Sequence, residues 1–269
     1  MKKTLGIIGC GFIGTTLGKY AVSSLGGHLK GIVLFDGDVS RAETLKSLIG
    51  KAYVAGSAAE LIGTADIVVE CAAPDAVRPV LEGCVSKGKD AIIISVGGVL
   101  GCEDLLGSAR EAGVRVILPS GAICGIDGIK AAGIAGITEA VITTRKGPAS
   151  LKGAPYIKEK GIDLDALKGE TVIFEGSARE AIKVFPKNIN VSVLLSLAGI
   201  GADRTKVRIV TSPGYTSNTH EIEVKADSGR ILIKCENVPS PDNPRTSYLA
   251  PLSCITVLKD YFDPVRIGA

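Results

Sequence analysis

At 269 residues the chain has room for one large domain or two modest ones. A composition that is 46% apolar and 22% charged excludes a disordered chain, and with no tryptophan and 4% aromatics the core must be Ile, Val, Leu and Ala. The net charge of +3 is spread without a Lys/Arg run or interleaved aromatics, which excludes a nucleic-acid stripe.

The start, MKKTLGIIGCGFIG, has the charge of a signal peptide, but glycines interrupt its apolar run within a few residues. No segment approaches the roughly 18–20 uninterrupted apolar residues of a membrane span, so no membrane partner is expected. Seven cysteines, at 10, 71, 84, 102, 124, 235 and 254, show no metal-ligand spacing. They fit reduced thiols in a cytoplasmic protein, and no metal is expected.

The first 120 residues alternate apolar strand-like runs (4–8, 31–35, 66–71, 91–96, 115–118, and a weaker one near 52–55) with helix-like segments (12–25, 39–49, 57–63, 74–87, 102–112). Continuous apolar strands separated by helices predict a parallel sheet covered on both faces, a doubly wound α/β domain. After about residue 122 the rhythm changes. A helix over 126–136 leads to a strand over 139–145, a Gly-, Pro- and Lys-rich stretch over 147–170 reads as a long surface loop, and TVIFEG (171–176) reads as a strand. A helical region through 177–200, a strand over 206–212 and two alternating strands (219–225, 230–236) follow. Asp227-Ser228-Gly229 between the last two suits an antiparallel hairpin. The expected organisation is α/β. A Rossmann dinucleotide-binding domain spans 1–121, an α+β catalytic domain spans 122–244, and residues 245–269 pack back on the first.

GCGFIG supplies Gly9, Gly11 and Gly14 after an apolar strand and at the opening of a helix, with Phe12 and Ile13 completing the loop. Gly9 permits the tight turn, Gly11 lets backbone approach a pyrophosphate, and Gly14 lets the helix sit close on the strand. The helix N-terminus offers N–H groups and the positive end of its dipole to the phosphates. Asp36 closes the second strand 22 residues after Gly14, where an acid accepts ribose hydroxyls. An acid there favours NAD over NADP by repelling a 2′-phosphate, although Arg41 nearby offers a phosphate partner.

Three polar stretches lie in the second half. In LPSGAICGIDG (118–128), small residues let backbone lie against a flat ring, so Ala122 is a candidate cofactor contact or part of a plain glycine-rich turn. Lys187, Asn188 and Asn190 open a long apolar helix whose dipole favours anions. Their amides suit a carboxamide or carboxylate, and Lys187 suits a carboxylate. Asn188 as a simple N-cap is the alternative. SNTHEIEV (217–224) holds one of only two histidines, with His220 in phase with Ile222 and Val224. An imidazole there is either a satisfied core residue or the group titrating near neutral pH that a dehydrogenase needs. The other, His28, follows the first helix.

GCGFIG (9–14), VVECAAPDAV (68–77), IIISVGG (92–98), PSGAICGIDG (119–128), VIFEGSAREAIKVFPKNINV (172–191), NTHEIEV (218–224) and ENVPSPDNPRTS (236–247) together resemble the L-aspartate dehydrogenase family. The resemblance runs through nearly the whole chain. It implies a Rossmann domain, a catalytic α/β domain, a C-terminal helix returning to the first, and a homodimer. The implied reaction is oxidative deamination of L-aspartate by NAD⁺ or NADP⁺, with NAD favoured here. It yields iminoaspartate, then oxaloacetate and ammonia, and feeds synthesis of the nicotinamide ring. The resemblance further implies that His220 is the acid/base and that Ala122 and an asparagine of K-N-I-N, Asn188 in preference to Asn190, contact the cofactor. Cations for the substrate carboxylates are then Lys187 and Arg245. The chain departs from the family's usual Lys-Pro-Pro run at Lys146-Gly147-Pro148, which bears on substrate contacts in that loop. The rival readings are a dehydrogenase or reductase acting on dihydrodipicolinate or homoserine, and a non-catalytic NADH sensor.

Overall fold

Strands covered by helices on both sides must be apolar throughout, and the first half of the chain meets that condition. A computed structural model describes residues 1–186 and 189–268, with Arg245 described by its backbone alone. Two compact units form, Met1–Pro119 with Pro251–Ile267, and Ser120–Ala250.

The first unit runs β1 (Lys3–Ile8), α1 (Phe12–Ser24), β2 (Leu29–Phe35), α2 (Val39–Ile49), β3 (Ala52–Val54), α3 (Ala58–Thr64), β4 (Ile67–Glu70), α4 (Val77–Ser86), β5 (Asp90–Ile93), α5 (Glu103–Ala112) and β6 (Val116–Ile117). Its six strands pair in the order β3-β2-β1-β4-β5-β6, all parallel. This is the doubly wound order that the alternation predicts. Every residue of β4 is buried, which explains why IVVE reads as an unbroken run. Helix starts follow local chemistry: Asp38 accepts from Ser40 N at α2, and Ser57 accepts from Glu60 N at α3. The helix expected from residue 74 instead begins with a 3-10 turn, Pro74–Ala76, before α4 takes over.

The second unit contains α6 (Ile126–Ala135), β7 (Ile137–Lys146), α7 (Pro155–Glu159), β8 (Thr171–Ser177), α8 (Ala178–Val184), α9 (Asn190–Ala198), β9 (Lys206–Thr211), β10 (Asn218–Ala226), β11 (Gly229–Asn237), β12 (Pro239–Ser240) and β13 (Asn243–Ser247). Five strands form a mixed sheet in the order β11-β10-β7-β9-β8, with only β7 and β9 parallel. Side chains alternate along each strand, so β7 turns Ala140, Ile142, Thr144 and Lys146 to the buried face, against which α6, α8 and α9 pack. The opposite face is a lattice of ion pairs, including Glu139 with Lys206 (2.9 Å) and Lys225 (2.7 Å), and Arg208 with Glu175 (3.0 Å). Each such exposed pair contributes less than about 1 kcal/mol. Register is therefore set by the buried face, because a one-residue slip would turn all its apolar side chains to solvent.

Two expectations are corrected in this unit, and one element is added that the sequence pattern does not anticipate. The stretch 147–170 is not simply a surface loop: it holds a 3-10 turn (Pro148–Ser150) and α7, and buries Leu151, Ile157 and Leu164. Tyr156 packs on Phe174 and Phe185, making an aromatic cluster that draws the segment inward. The helical region over 177–200 is two helices, with the buried Phe185 just after the first. The segment after β11 forms the small antiparallel sheet β12-β13, which no periodicity announces because its strands are short and proline-bearing.

The last helix, α10 (Leu249–Phe262), carries the chain back into the first unit. Cys254, Leu258 and Tyr261 enter the core built from Leu5, Ile7, Leu17, Leu34, Leu45, Ile67 and Ile92. The Tyr261 hydroxyl donates to Asp90 Oδ2 (2.7 Å), and the Arg115 guanidinium lies 4.5 Å from the ring centre. His28 is exposed, its ring 5.6 Å from that of Phe262 on the same helix. A role in helix packing accounts for it.

Candidate active site

The turn after β1 has the geometry its glycines require. Gly9 has φ +97°, a conformation open to glycine, and a Cβ there would meet the Ala72 backbone at 2.6 Å. A Cβ on Gly14 would stand 2.0 Å from the Gly9 carbonyl oxygen. A Cβ on Gly11 would instead project into open space, the room that backbone needs to approach a pyrophosphate. Gly11 precedes α1, whose first turn has no side-chain cap, so its N–H groups suit phosphate oxygens. Phe12 and Ile13 are half-buried in that turn, and Ile13 packs on the core.

Asp36 sits at the end of β2, where its carboxylate accepts from Cys10 N (2.7 Å) and Asp38 N (2.9 Å). One bond to each oxygen leaves lone pairs for ribose hydroxyls. A cleft of about 520 Å³ opens beside it, lined by Gly9, Phe35, Asp36, Ala73, Pro79 and Lys87 among others. Arg41 lies 3.5 Å from Asp38, an exposed pair.

Glu70, which sequence reasoning missed, is fully buried at the end of β4. It accepts from Ala72 N, Ala73 N, Ser95 N and Ser95 Oγ at 2.8–3.1 Å, tying the loops after β4 and β5 together. Burial raises its pKa, and these donors oppose the rise. The available signal was an acid at the end of an otherwise apolar strand.

In the second unit, the buried face of the sheet is apolar along most of its length and polar at one end. His220 on β10 is 3% exposed and in phase with Ile222 and Val224. It pairs in register with Thr144 of β7 and Cys235 of β11. Thr144 Oγ1 lies 2.9 Å from His220 Nδ1. Lys146, two residues along β7, is buried, as is Thr211 beside it on β9. Asn237 at the end of β11 is buried and donates from Nδ2 to the Ala122 carbonyl (3.0 Å). The structure thus brings Ala122 and the His220 face into one unit through Asn237.

The electrostatics differ from the near-neutral imidazole expected. Burial first, and the Lys146 charge second, lower the His220 pKa to about 3, so the ring is neutral at physiological pH. Burial likewise lowers Lys146 to about 8. Thr144, Lys146 and Asn237 were also missed. The signal for Lys146 was present: alternation in EAVITTRK places it in phase with Ala140 and Ile142.

Asn190 is the exposed first residue of α9. Lys187 and Asn188 lie outside the described residues, as does the side chain of Arg245, whose backbone belongs to β13. Among the described residues no cluster of three or more His, Cys, Asp or Glu could hold a metal ion, and no helix is long and apolar enough to cross a membrane.

The family model described as aspartate dehydrogenase, C-terminal, matches residues 127–261, and the homoserine dehydrogenase NAD-binding domain matches residues 9–119. The L-aspartate dehydrogenase of Methanosarcina mazei is 44% identical over 270 residues, covering 98% of each chain. The chain belongs to the L-aspartate dehydrogenase family. The crystal structure of aspartate dehydrogenase from Thermotoga maritima aligns over the whole of both chains with TM-score 0.76 and 29% identity. A homoserine dehydrogenase from Thiobacillus denitrificans shares the fold alone, with TM-score 0.61 and 14% identity over 97% of this chain and 73% of its own. As a member of this family the protein is an oxidoreductase with a pyridine-nucleotide cofactor, and the glycine turn and Asp36 lie within the residues that match the NAD-binding model.

Proposed function

We propose that the protein oxidatively deaminates L-aspartate with NAD⁺, giving iminoaspartate and then oxaloacetate and ammonia. The observation that carries this reading is the buried His220, with Thr144 on Nδ1 and Lys146 on the same face, in a chain of this family.

On this reading residues 1–121, with the returning tail 245–269, form the dinucleotide-binding domain and 122–244 the catalytic domain. Gly9, Gly11, Phe12, Ile13 and Gly14 hold the pyrophosphate and Asp36 the adenosine ribose. Ala122 and Asn188 flank the nicotinamide. Bound there, the nicotinamide would supply the hydride acceptor for the aspartate Cα. NAD is favoured over NADP because the Asp36 carboxylate repels a 2′-phosphate and Arg41 is engaged with Asp38.

The substrate amine must be neutral before it becomes an imine. With Nδ1–H donated to Thr144 Oγ1, the Nε2 lone pair of His220 is left to take the ammonium proton and pass it to solvent, after which the free base takes a proton from the water that adds to the imine. A dicarboxylate bound at this face opposes the Lys146 charge and stabilises the imidazolium, which raises the imidazole pKa. Lys146, Lys187 and Arg245 are the cations for its two carboxylates, and Asn190 an amide donor. In the cell we place the enzyme in the cytoplasm as a homodimer, with iminoaspartate passing to synthesis of the nicotinamide ring.

The test is to mix the protein with L-aspartate and NAD⁺ or NADP⁺ and follow the reduced nicotinamide spectroscopically. Oxaloacetate, ammonium and NADH test the reverse direction. We expect turnover with aspartate and none with homoserine. Protein that binds NADH but turns over no amino or oxo acid would instead be a sensor.

A further inference from the structure

Cys124 and Cys235 are 111 positions apart in sequence, and their sulfurs lie 3.5 Å apart. Both thiols are free. The segment carrying Cys124 is held against β11 on both sides of the pair. Upstream, Asn237 Nδ2 donates to the Ala122 carbonyl. Downstream, Gly125 takes φ +71°, and a Cβ there would strike the Ile233 side chain at 2.6 Å. Residues 122, 124 and 125 therefore run alongside 237, 235 and 233, and the two sulfurs are brought together by backbone placement on both sides. Cys124 is exposed and Cys235 is buried. Cys235 stands in register beside His220.

We propose that Cys124 and Cys235 are an oxidisable pair, a modification site at which a peroxide closes a reversible disulfide that fixes the Ala122 segment to β11 and slows the enzyme. A disulfide sulfur–sulfur bond is about 2.05 Å long, so the sulfurs need to approach by about 1.5 Å. Burial and the Cys124 thiol push Cys235 up to about 11, so the exposed Cys124 meets the oxidant first. Its thiolate attacks one peroxide oxygen, forming an S–O bond as the O–O bond breaks and the departing hydroxide gains a proton to become water. Cys235 then attacks the Cys124 sulfur, forming S–S as S–O breaks, and the second oxygen leaves as water. Two thiols and one peroxide become one disulfide and two waters, the sulfurs losing the two electrons that the peroxide gains. A small dithiol reverses the step by exchange.

The effect on rate rests on the aspartate dehydrogenase reading, but bond formation does not. The experiment treats the purified protein and its Cys124→Ser variant with hydrogen peroxide, blocks remaining thiols with an alkylating agent, and maps peptides by mass spectrometry. Aspartate-dependent NADH formation is followed in parallel. We expect a Cys124–Cys235 cross-linked peptide in the unsubstituted protein, a several-fold loss of rate, and recovery of both on adding dithiothreitol. Cys124→Ser should keep the starting rate, form no cross-link and hold its rate through the same exposure. Absence of the cross-link while other thiols remain alkylatable overturns the proposal, as does an equal, reversible loss of rate in Cys124→Ser. A protein with no dehydrogenase rate even before oxidation contradicts the functional reading alone, since the mass measurement still reports on the pair.

Discussion

His220 and Lys146 illustrate how two ordinary residues acquire unusual chemistry by sharing a buried face. Two residues apart in phase, strand positions 144 and 146 present a hydroxyl and an ammonium to the same side, and β10 lays the imidazole beside them. If His220 moves the protons, His220→Ala should lower turnover by roughly 10²–10⁴-fold. NADH affinity should be nearly unchanged, because the glycine turn belongs to the other unit. Near-normal turnover in that variant would remove His220 from the mechanism. Lys146→Met should raise the His220 pKa from about 3, but only part of the way to 6.5, because burial is the larger cause. With two histidines in the chain, the imidazole proton resonances are simple to assign in a pH titration by NMR. A titration unchanged by the substitution would mean that the ring does not feel the lysine. The sign for stability follows from the depressed value. Between pH 6.5 and about 3 the unfolded imidazole binds a proton that the native one does not, so this site weakens the fold progressively as pH falls through that window.

At the scale of elements, the turn between β1 and α1 separates two requirements that its glycines meet differently. Gly14→Ala puts a methyl 2.0 Å from the Gly9 carbonyl oxygen, so the helix must move off the strand. It should cost about 1–3 kcal/mol of stability as overpacking and weaken NADH binding by roughly tenfold or more, about 1.4 kcal/mol. Gly11→Ala meets no protein atom within 4 Å, and its backbone, at φ −73°, already suits alanine. It should keep full stability and lose NADH affinity alone. Urea midpoints and a fluorescence titration with NADH read the two effects separately, and equal behaviour of the two variants would contradict the assignment. These first-unit elements were legible because parallel strands buried on both faces give unbroken apolar runs, and glycine spacing marks the turn between them. The 147–170 segment was not, since Leu151, Ile157 and Leu164 follow no period and are buried individually beside an aromatic cluster.

Across the whole molecule, the chain's last helix completes the core that its first strand begins. Leu258 is fully buried among side chains of the first unit, so Leu258→Ala should cost about 2–5 kcal/mol through lost burial and the cavity left behind. The loss should appear as a lower unfolding temperature, partly restored by saturating NADH through mass action. Unfolding unchanged by the substitution would mean that α10 contributes little to that core. A chain with two compact units need not unfold in a single step, so the transition is best followed by more than one probe.

The parallel sheet, the glycine turn after β1, the acid that closes β2, and His220 as an inward imidazole on a strand were all legible from spacing within a few residues. Which groups share the buried polar end of the second sheet depends instead on long-range strand pairing. Strand order β11-β10-β7-β9 sets Lys146 and Thr144 near residues more than 60 positions downstream, and brings Cys124 to Cys235. Pairings across such separations come from the packing of whole faces rather than local periodicity. The low His220 pKa has the same origin, since burial and a neighbouring charge are properties of the assembled sheet.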